Sequence, residues 1–264
     1  MKHPHILYDS QMFDLQKYGG ISRYFCEIIT RLHIDYDISV RYTENHYLIQ
    51  TKLAKHRLRI PHFLFKRYRK KLISKNLELT KKLLQTSTTP YVFHPTYYNP
   101  SFLKYIGDNP YVITVHDMIH ELFPDCFHDS EEVIRQKKEV ITKANRIIAI
   151  SENTKRDIIK ILKIDPEKID IIYHGTSIQS LSGKNRLSLP NRYILFVGDR
   201  SLYKNFQRLL DAFAIINKTD KNLYLICTGY PFNRDERTSI DSLNIANKII
   251  QISIDDKSLN ELYS

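Results

Sequence analysis

The chain has 264 residues, 42% of them hydrophobic, and a net charge of +11. That length and apolar content suffice to bury a core, which excludes a disordered chain and a small disulfide-stapled scaffold. No apolar run approaches the roughly 18 residues of a membrane span, and Met1-Lys2-His3-Pro4 leads into Ile6-Leu7-Tyr8 without an apolar leader, so the chain is read as cytoplasmic.

Short β-branched and aromatic runs alternate with amphipathic stretches along the chain. A first strand is expected from near Ile6, a helix over 21–32, and a second strand near Ile38. Phe63 to Leu84 mixes Lys and Arg with apolar positions and reads as a basic, partly amphipathic helix. Strands follow from near Tyr91 and Tyr111, a helix over 131–144, a strand from Arg146, a helix over 152–162 and a strand from Ile169. The stretch from Ser177 to Pro190, rich in Ser, Gly, Asn and Pro, breaks this alternation, and a fresh strand opens near Arg192. A helix over 205–217 and strands near Asn222 and Lys248 complete the series. Strands joined by helical crossovers make an α/β chain with parallel sheets. The break predicts a first domain over 1–180 and a smaller one over 181–264.

The charge is local. Twelve Lys and Arg lie between Lys52 and Lys82 against one acid, Glu78, and the rest of the chain balances. Lys66, Arg67, Arg69, Lys70 and Lys71 form the densest part, interleaved with aromatic and aliphatic residues. Such a segment suits an anionic membrane surface, against the alternative of a solvated helix face. Nucleic acid is disfavoured as a partner, because no recognised binding module accompanies the charge. Cys26, Cys126 and Cys227 are widely separated and lack metal-ligand spacing, so they read as reduced, structural thiols and no metal site is expected.

Only seven glycines occur. Gly19-Gly20 precedes the helix Ile21-Ser-Arg-Tyr-Phe, so its amides fit either a phosphate at a helix entrance or a tight turn. The run Val112-Ile-Thr-Val-His-Asp-Met118 delivers His116 and Asp117 to the carboxyl end of a buried-type strand, the edge at which open α/β sheets bind ligands. Asp117 reads as a turn cap, and Ser151 as the N-cap of the next helix at a second entrance on the same edge. Gly198 sits at a strand-to-helix turn with Arg200 and Lys204 beyond it, two cations suited to a diphosphate leaving group. Gly229 occupies a similar strand end.

Tyr18-Gly-Gly-Ile-Ser-Arg-Tyr24, Phe93-His-Pro-Thr-Tyr97, Thr114-Val-His-Asp117, Ala149-Ile-Ser-Glu-Asn-Thr154, Ile172-Tyr-His-Gly175 and Val197-Gly-Asp-Arg-Ser-Leu-Tyr-Lys-Asn205 occur in this order across nearly the whole chain. Together they resemble the family 4 glycosyltransferases, in particular a mannosyltransferase-like branch that builds bacterial surface polysaccharides. The resemblance implies a GT-B fold of two facing Rossmann-like domains, with acceptor on the first and nucleotide-sugar on the second. It implies retaining transfer of a hexose from a GDP- or UDP-sugar to a glycan or lipid-linked acceptor, without a required metal or other cofactor. Arg200 and Lys204 would then hold the donor diphosphate, Gly19 and Gly20 would approach phosphate or acceptor, and His116 would contact the transferred sugar.

Two departures accompany the resemblance. The family's E-x7-E segment and closing helix are expected just beyond Ser264, so the second domain is expected to be incomplete. Thr228-Gly229-Tyr230 carries one glycine where the family has two or three. Three readings therefore stand: a hexosyltransferase, a truncated non-catalytic remnant or partner-dependent subunit, and a basic adaptor for membrane or nucleic acid.

Overall fold

The computed structural model describes residues 5–54, 58–176, 187–200, 202–253 and 256–263. The chain divides into two compact units, Met1–Gly175 and Thr176–Ser264. The predicted boundary at 180/181 lies outside the described residues.

The strands of the first unit are β1 (His5–Tyr8), β2 (Tyr36–Ile38), β3 (Tyr42–Thr43), β4 (Leu58–Arg59), β5 (Tyr91–His94), β6 (Val112–Val115), β7 (Arg146–Ala149) and β8 (Ile169–Ile171). Its helices are α1 (Gln11–Leu15), α2 (Gly20–Arg31), α3 (His46–Thr51), α4 (His62–Thr86), α5 (Ile119–Leu122), α6 (Ser130–Lys143) and α7 (Glu152–Leu162). Every strand pairing is parallel, in the orders β2-β1-β5 and β6-β7-β8. An isolated bridge between Phe93 and Tyr111 joins the two sheets. β3 and β4 pair separately. Strand order reverses direction at β1, whose neighbours are β2 on one side and β5 on the other. The carboxyl ends of β1 and β5 thus form a topological switch point, the place where such sheets bind ligands.

Burial follows from the sequence pattern. On α2, Ser22, Phe25, Cys26 and Ile29 recur at three- and four-residue spacing and face inward, packing with Tyr8, Phe13, Val40 and Leu48. Phe25 is fully buried, and its loss to Ala would cost about 3–5 kcal/mol. The other half of the sheet packs Ile113, Val115, Ile147 and Ala149 against Val140 and Ile141 of α6 and Ile158 of α7. The buried thiol of Cys26 is pushed up to about 12 by burial, as is that of Cys227, which suits structural rather than reactive cysteines.

The second unit contains β9 (Tyr193–Phe196), α8 (Phe206–Thr219), β10 (Tyr224–Thr228), α9 (Arg234–Ser242), β11 (Ile249–Ile252) and α10 (Asp256–Leu262). Its three strands are parallel in the order β11-β10-β9. Phe206, Leu210 and Phe213 of α8 and Ile240 of α9 cover Leu225 and Cys227. No helix among the described residues is long and apolar enough to cross a membrane.

Candidate active site

The switch point of the first unit is tied together by Asp9, which directly follows β1. Its Oδ1 accepts the Thr96 amide at 2.9 Å and the Thr96 hydroxyl at 2.5 Å, and that hydroxyl oxygen accepts the Met12 amide at 3.0 Å. These bonds join the ends of β1 and β5 and fix the floor on which the neighbouring side chains stand.

His116, delivered by β6 as predicted, belongs to an aromatic cluster. Its ring meets Tyr24 of α2 edge-on at 5.0 Å, and His174, beyond β8, lies 5.7 Å from it and 4.7 Å from Tyr24. Behind them Thr114 Oγ1 contacts His94 Nε2 at 2.9 Å and the Tyr24 hydroxyl at 3.2 Å. Burial, reinforced by the neighbouring histidines and Lys137, holds His116 down to about 3, and burial alone holds His94 to about 4. Both imidazoles are neutral at physiological pH. The Nε2 atom of His116 is buried and has no hydrogen-bond partner among the described residues. A neutral ring with an unpartnered nitrogen keeps the capacity to bond a hydroxyl, but it is too weak a base to take protons at pH 7.

The loop after His116 is anchored from below. The Tyr98 hydroxyl accepts the His116 amide at 3.4 Å, and the buried Lys137 ammonium donates to the Asp117 carbonyl at 2.8 Å and to Glu121 Oε2 at 2.9 Å. Asp117 caps the turn by accepting the Ile119 amide at 3.2 Å. Ser151 is the N-cap of α7, its hydroxyl accepting the Thr154 amide at 3.1 Å, and Thr154 Oγ1 in turn lies 3.5 Å from the His116 carbonyl. Ser151 thus supports the His116 loop through the helix entrance.

Gly19 precedes α2 in extended backbone, and Gly20 is its first residue. The entrance is partly occupied: Gln16 Oε1 accepts the Ser22 amide at 3.2 Å, and a Cβ on Gly19 would fall 2.1 Å from that oxygen. The Gln16 side chain thus fills part of the helix entrance that the sequence pattern offers to a phosphate. Gly20 faces open space.

In the second unit Gly198 and Gly229 lie side by side at the carboxyl ends of β9 and β10. Both have positive φ, +116° and +104°, and a Cβ on Gly229 would come within 3.2 Å of the Gly198 carbonyl. Arg200, read from the sequence as a cation for the donor diphosphate, is instead engaged within the protein. Its side chain is only 7% exposed, with Nε 2.7 Å from Glu236 Oε1 and Nη2 donating to the Tyr230 carbonyl at 2.8 Å. The guanidinium also stacks 4.8 Å over Phe232. Glu236 completes a capping box with Asn233 at the start of α9, so Arg200 binds the Gly229 loop to that helix. Burial would raise the Glu236 carboxyl, but hydrogen bonds from Arg200 and from Asn233 outweigh it and keep the group below its usual range. Lys204 is exposed, its ammonium 5.0 Å over the Tyr203 ring. It is the candidate cation that stands open to solvent.

Lys66, Arg67, Arg69, Lys70 and Lys71 are exposed on α4. Arg69 also reaches back to donate to the Asp14 carbonyl at 3.1 Å. Phe63 and Tyr68 are exposed on the same helix. Among the described residues no group of three or more His, Cys, Asp or Glu is placed to hold a metal ion.

Sequence reasoning did not single out Tyr24, His94 and His174 as site residues. Each lay inside a motif already noted, and His94, like His116, ends or follows an apolar strand, which was the available signal.

Three comparisons with known proteins bear on this geometry. A curated relative from Campylobacter jejuni, N-acetylgalactosamine-N,N'-diacetylbacillosaminyl-diphospho-undecaprenol 4-alpha-N-acetylgalactosaminyltransferase, is 29% identical over 116 residues. That match spans 43% of this chain and 31% of the relative, so the chain aligns with about a third of the relative's length. Among solved structures, WaaG, a glycosyltransferase involved in lipopolysaccharide biosynthesis, superposes with a TM-score of 0.61 at 13% identity, over 98% of this chain and 72% of WaaG. A UDP-N-acetylglucosamine 2-epimerase superposes with a TM-score of 0.55 at 12% identity, over 99% of this chain and 71% of the epimerase. The shared GT-B architecture therefore identifies the fold without selecting a reaction. The selection comes from sequence: residues 18–180, more than half of the chain, match the profile of glycosyltransferase family 4, and the chain belongs to that family.

Proposed function

We propose that the protein transfers a hexose, with retention of anomeric configuration, from a nucleoside-diphosphate sugar to a glycan or lipid-linked acceptor in surface polysaccharide synthesis. The observation that carries this reading is the buried, unpartnered Nε2 of the neutral His116, set beside Tyr24 at the ligand-binding edge of a family 4 chain. In it His116 bonds a sugar hydroxyl and Lys204 binds the diphosphate. Arg200 acts as a positioning residue that holds the Gly229 loop. A hydrogen-bonding imidazole with an ammonium at the diphosphate suits a transition state whose cost is charge on the departing diphosphate, with little need for a strong base. The resemblance to a mannosyltransferase-like branch suggests mannose among the hexoses; the name of the C. jejuni relative carries N-acetylgalactosamine.

The exposed basic and aromatic residues of α4 support a peripheral position on the inner face of a membrane, where lipid-linked acceptors reside. No metal or other cofactor enters this reading.

The test is incubation of the natural full-length protein with GDP- and UDP-hexoses and a polyprenyl-diphosphate acceptor, followed by NMR of the product. The expected product keeps the donor's anomeric configuration. An inverted product would sink the retaining assignment, and free sugar or an altered nucleotide-sugar without acceptor modification would sink transfer itself.

A further inference from the structure

A cavity in the first unit, of 280 Å³, is built from three separate segments of chain. Lys17 and Tyr18 come from the connection between α1 and α2, Glu44 and His46 follow β3, and Arg59 and His62 come from β4 and the start of α4. Its volume is near the lower end of the range for small-molecule sites and accommodates a phosphate or diphosphate group.

The charges do not cancel. The Glu44 carboxylate is engaged by His62 Nδ1 at 2.5 Å. Lys17 and Arg59 have no carboxylate within ion-pair distance among the described residues, and the Lys17 ammonium rests 5.7 Å over the Tyr18 ring. Two cations against one carboxylate leave the lining net positive, which favours an anion, with Arg59 able to form the paired hydrogen bonds that phosphate oxygens accept.

The surroundings are apolar, which a site for a water-soluble anion does not need. Ile49, Ile60 and Pro61 form part of the wall. Leu58 and Phe63, adjoining Arg59 and His62, are 52% and 69% exposed, and Tyr18, 61% exposed, lies against His46 at 4.9 Å. The exposed Tyr18 in the wall, and exposed apolar side chains next in sequence to Arg59 and His62, match a ligand that is anionic at one end and oily at the other.

We propose that this cavity binds the phosphate or diphosphate of a single-chain lipid acceptor, with the apolar chain running over Leu58 and Phe63. Naming the ligand an acceptor rests on the function proposed above; the binding itself does not.

The experiment therefore uses no donor and no turnover. Isothermal titration of the full-length protein compares farnesyl diphosphate below its micelle concentration, inorganic pyrophosphate and farnesol. Three variants are run beside it: Lys17→Gln/Arg59→Gln in the cavity, Phe63→Ser next in sequence to the lining His62, and Lys70→Gln/Lys71→Gln on the basic face outside it. Farnesyl diphosphate should bind more tightly than either pyrophosphate or farnesol. The cavity variant should weaken it by about tenfold or more, the loss of at least one charged hydrogen bond. Phe63→Ser should weaken farnesyl diphosphate and leave pyrophosphate unchanged, and the face variant should stay within about twofold of the parent, as expected for charges outside the cavity and screened by salt. Equal binding of pyrophosphate and farnesyl diphosphate would make this a free-anion site and overturn the proposal. So would a cavity variant that binds like the parent, or a face variant that loses as much as the cavity variant. If transfer fails while these binding results hold, the site stands and the enzymatic reading falls.

Discussion

Replacing Lys137 with Met removes a buried cation while keeping the side chain's length and most of its apolar contact. Lys137 and its partner Glu121 have side chains 1% and 4% exposed, and the second carboxylate oxygen of Glu121 has no hydrogen-bond partner among the described residues. Without the ammonium, Glu121 keeps a buried charge with its main partner gone, a loss of about 3–5 kcal/mol. For a unit of this size each kcal/mol moves the melting temperature by about 2–4 °C, so Lys137→Met should melt about 6–20 °C lower. Thermal and urea unfolding measure this directly, and Lys137→Met/Glu121→Leu, which removes both charges, should recover much of the loss. Because Lys137 also holds the Asp117 carbonyl, the single variant should reduce transfer at temperatures where it remains folded. A single variant within about 1 kcal/mol of the parent, or a double variant no better than the single, refutes the reasoning, since either shows that the buried pair is not a coupled unit.

Burial raises the Asp14 carboxyl to about 7 despite hydrogen bonds from Ser10 and Asn76. Between about pH 4 and 7 the native state holds a proton that the unfolded state has released, so this stability is full at the acid end and is lost as pH rises through about 7. Asp14→Asn, neutral throughout, should gain about 3 kcal/mol relative to the parent between pH 5 and 8; a constant difference across that range contradicts the raised value. Lys204→Ala should weaken nucleotide-sugar binding without changing the melting temperature, whereas Arg200→Ala, which strips Glu236, Tyr230 and Phe232 of their partner, should lower it by several degrees. Identical thermal behaviour in the two variants would refute that division of roles. Replacing Lys66, Arg67, Lys70 and Lys71 by Gln should weaken binding to phosphatidylglycerol vesicles by about a hundredfold or more, at about 1 kcal/mol per charge, and leave the weak binding to neutral vesicles unchanged. Unaltered sedimentation with anionic vesicles would make α4 an ordinary solvated face.

The main sheets were legible because parallel strands covered on both sides read as short apolar runs, as in Val112–Val115 and Tyr224–Thr228. The helices α2, α6, α7 and α8 were legible from one-sided apolar spacing, to within a residue or two at their ends. β3 and β4, two residues each, carry too little pattern to detect, and α9 opens with Arg234-Asp-Glu-Arg-Thr, in which the capping box rather than an apolar stripe marks the helix. At the site, His116 could be read because it ends its own apolar strand. Its cluster could not, since Tyr24 and Thr114 meet across 90 residues and only the strand order brings them together. The same holds for Arg200: its charge was visible, but Glu236, 36 residues away, and the Phe232 ring that bury it were not.

The central claim is that His116 contacts the sugar as a neutral hydrogen-bonding group in a glycosyl transfer. The most direct test is the pH profile of kcat for acceptor glycosylation, from pH 5 to 8, in the parent and in His116→Phe. The account predicts a rate about a hundredfold lower in the variant, the scale of one lost transition-state hydrogen bond, and no rise with an apparent pKa near 6.5 in the parent. A parent rate that climbs through pH 6.5 and loses that step in His116→Phe would make His116 a proton acceptor. A variant as active as the parent would remove it from the reaction.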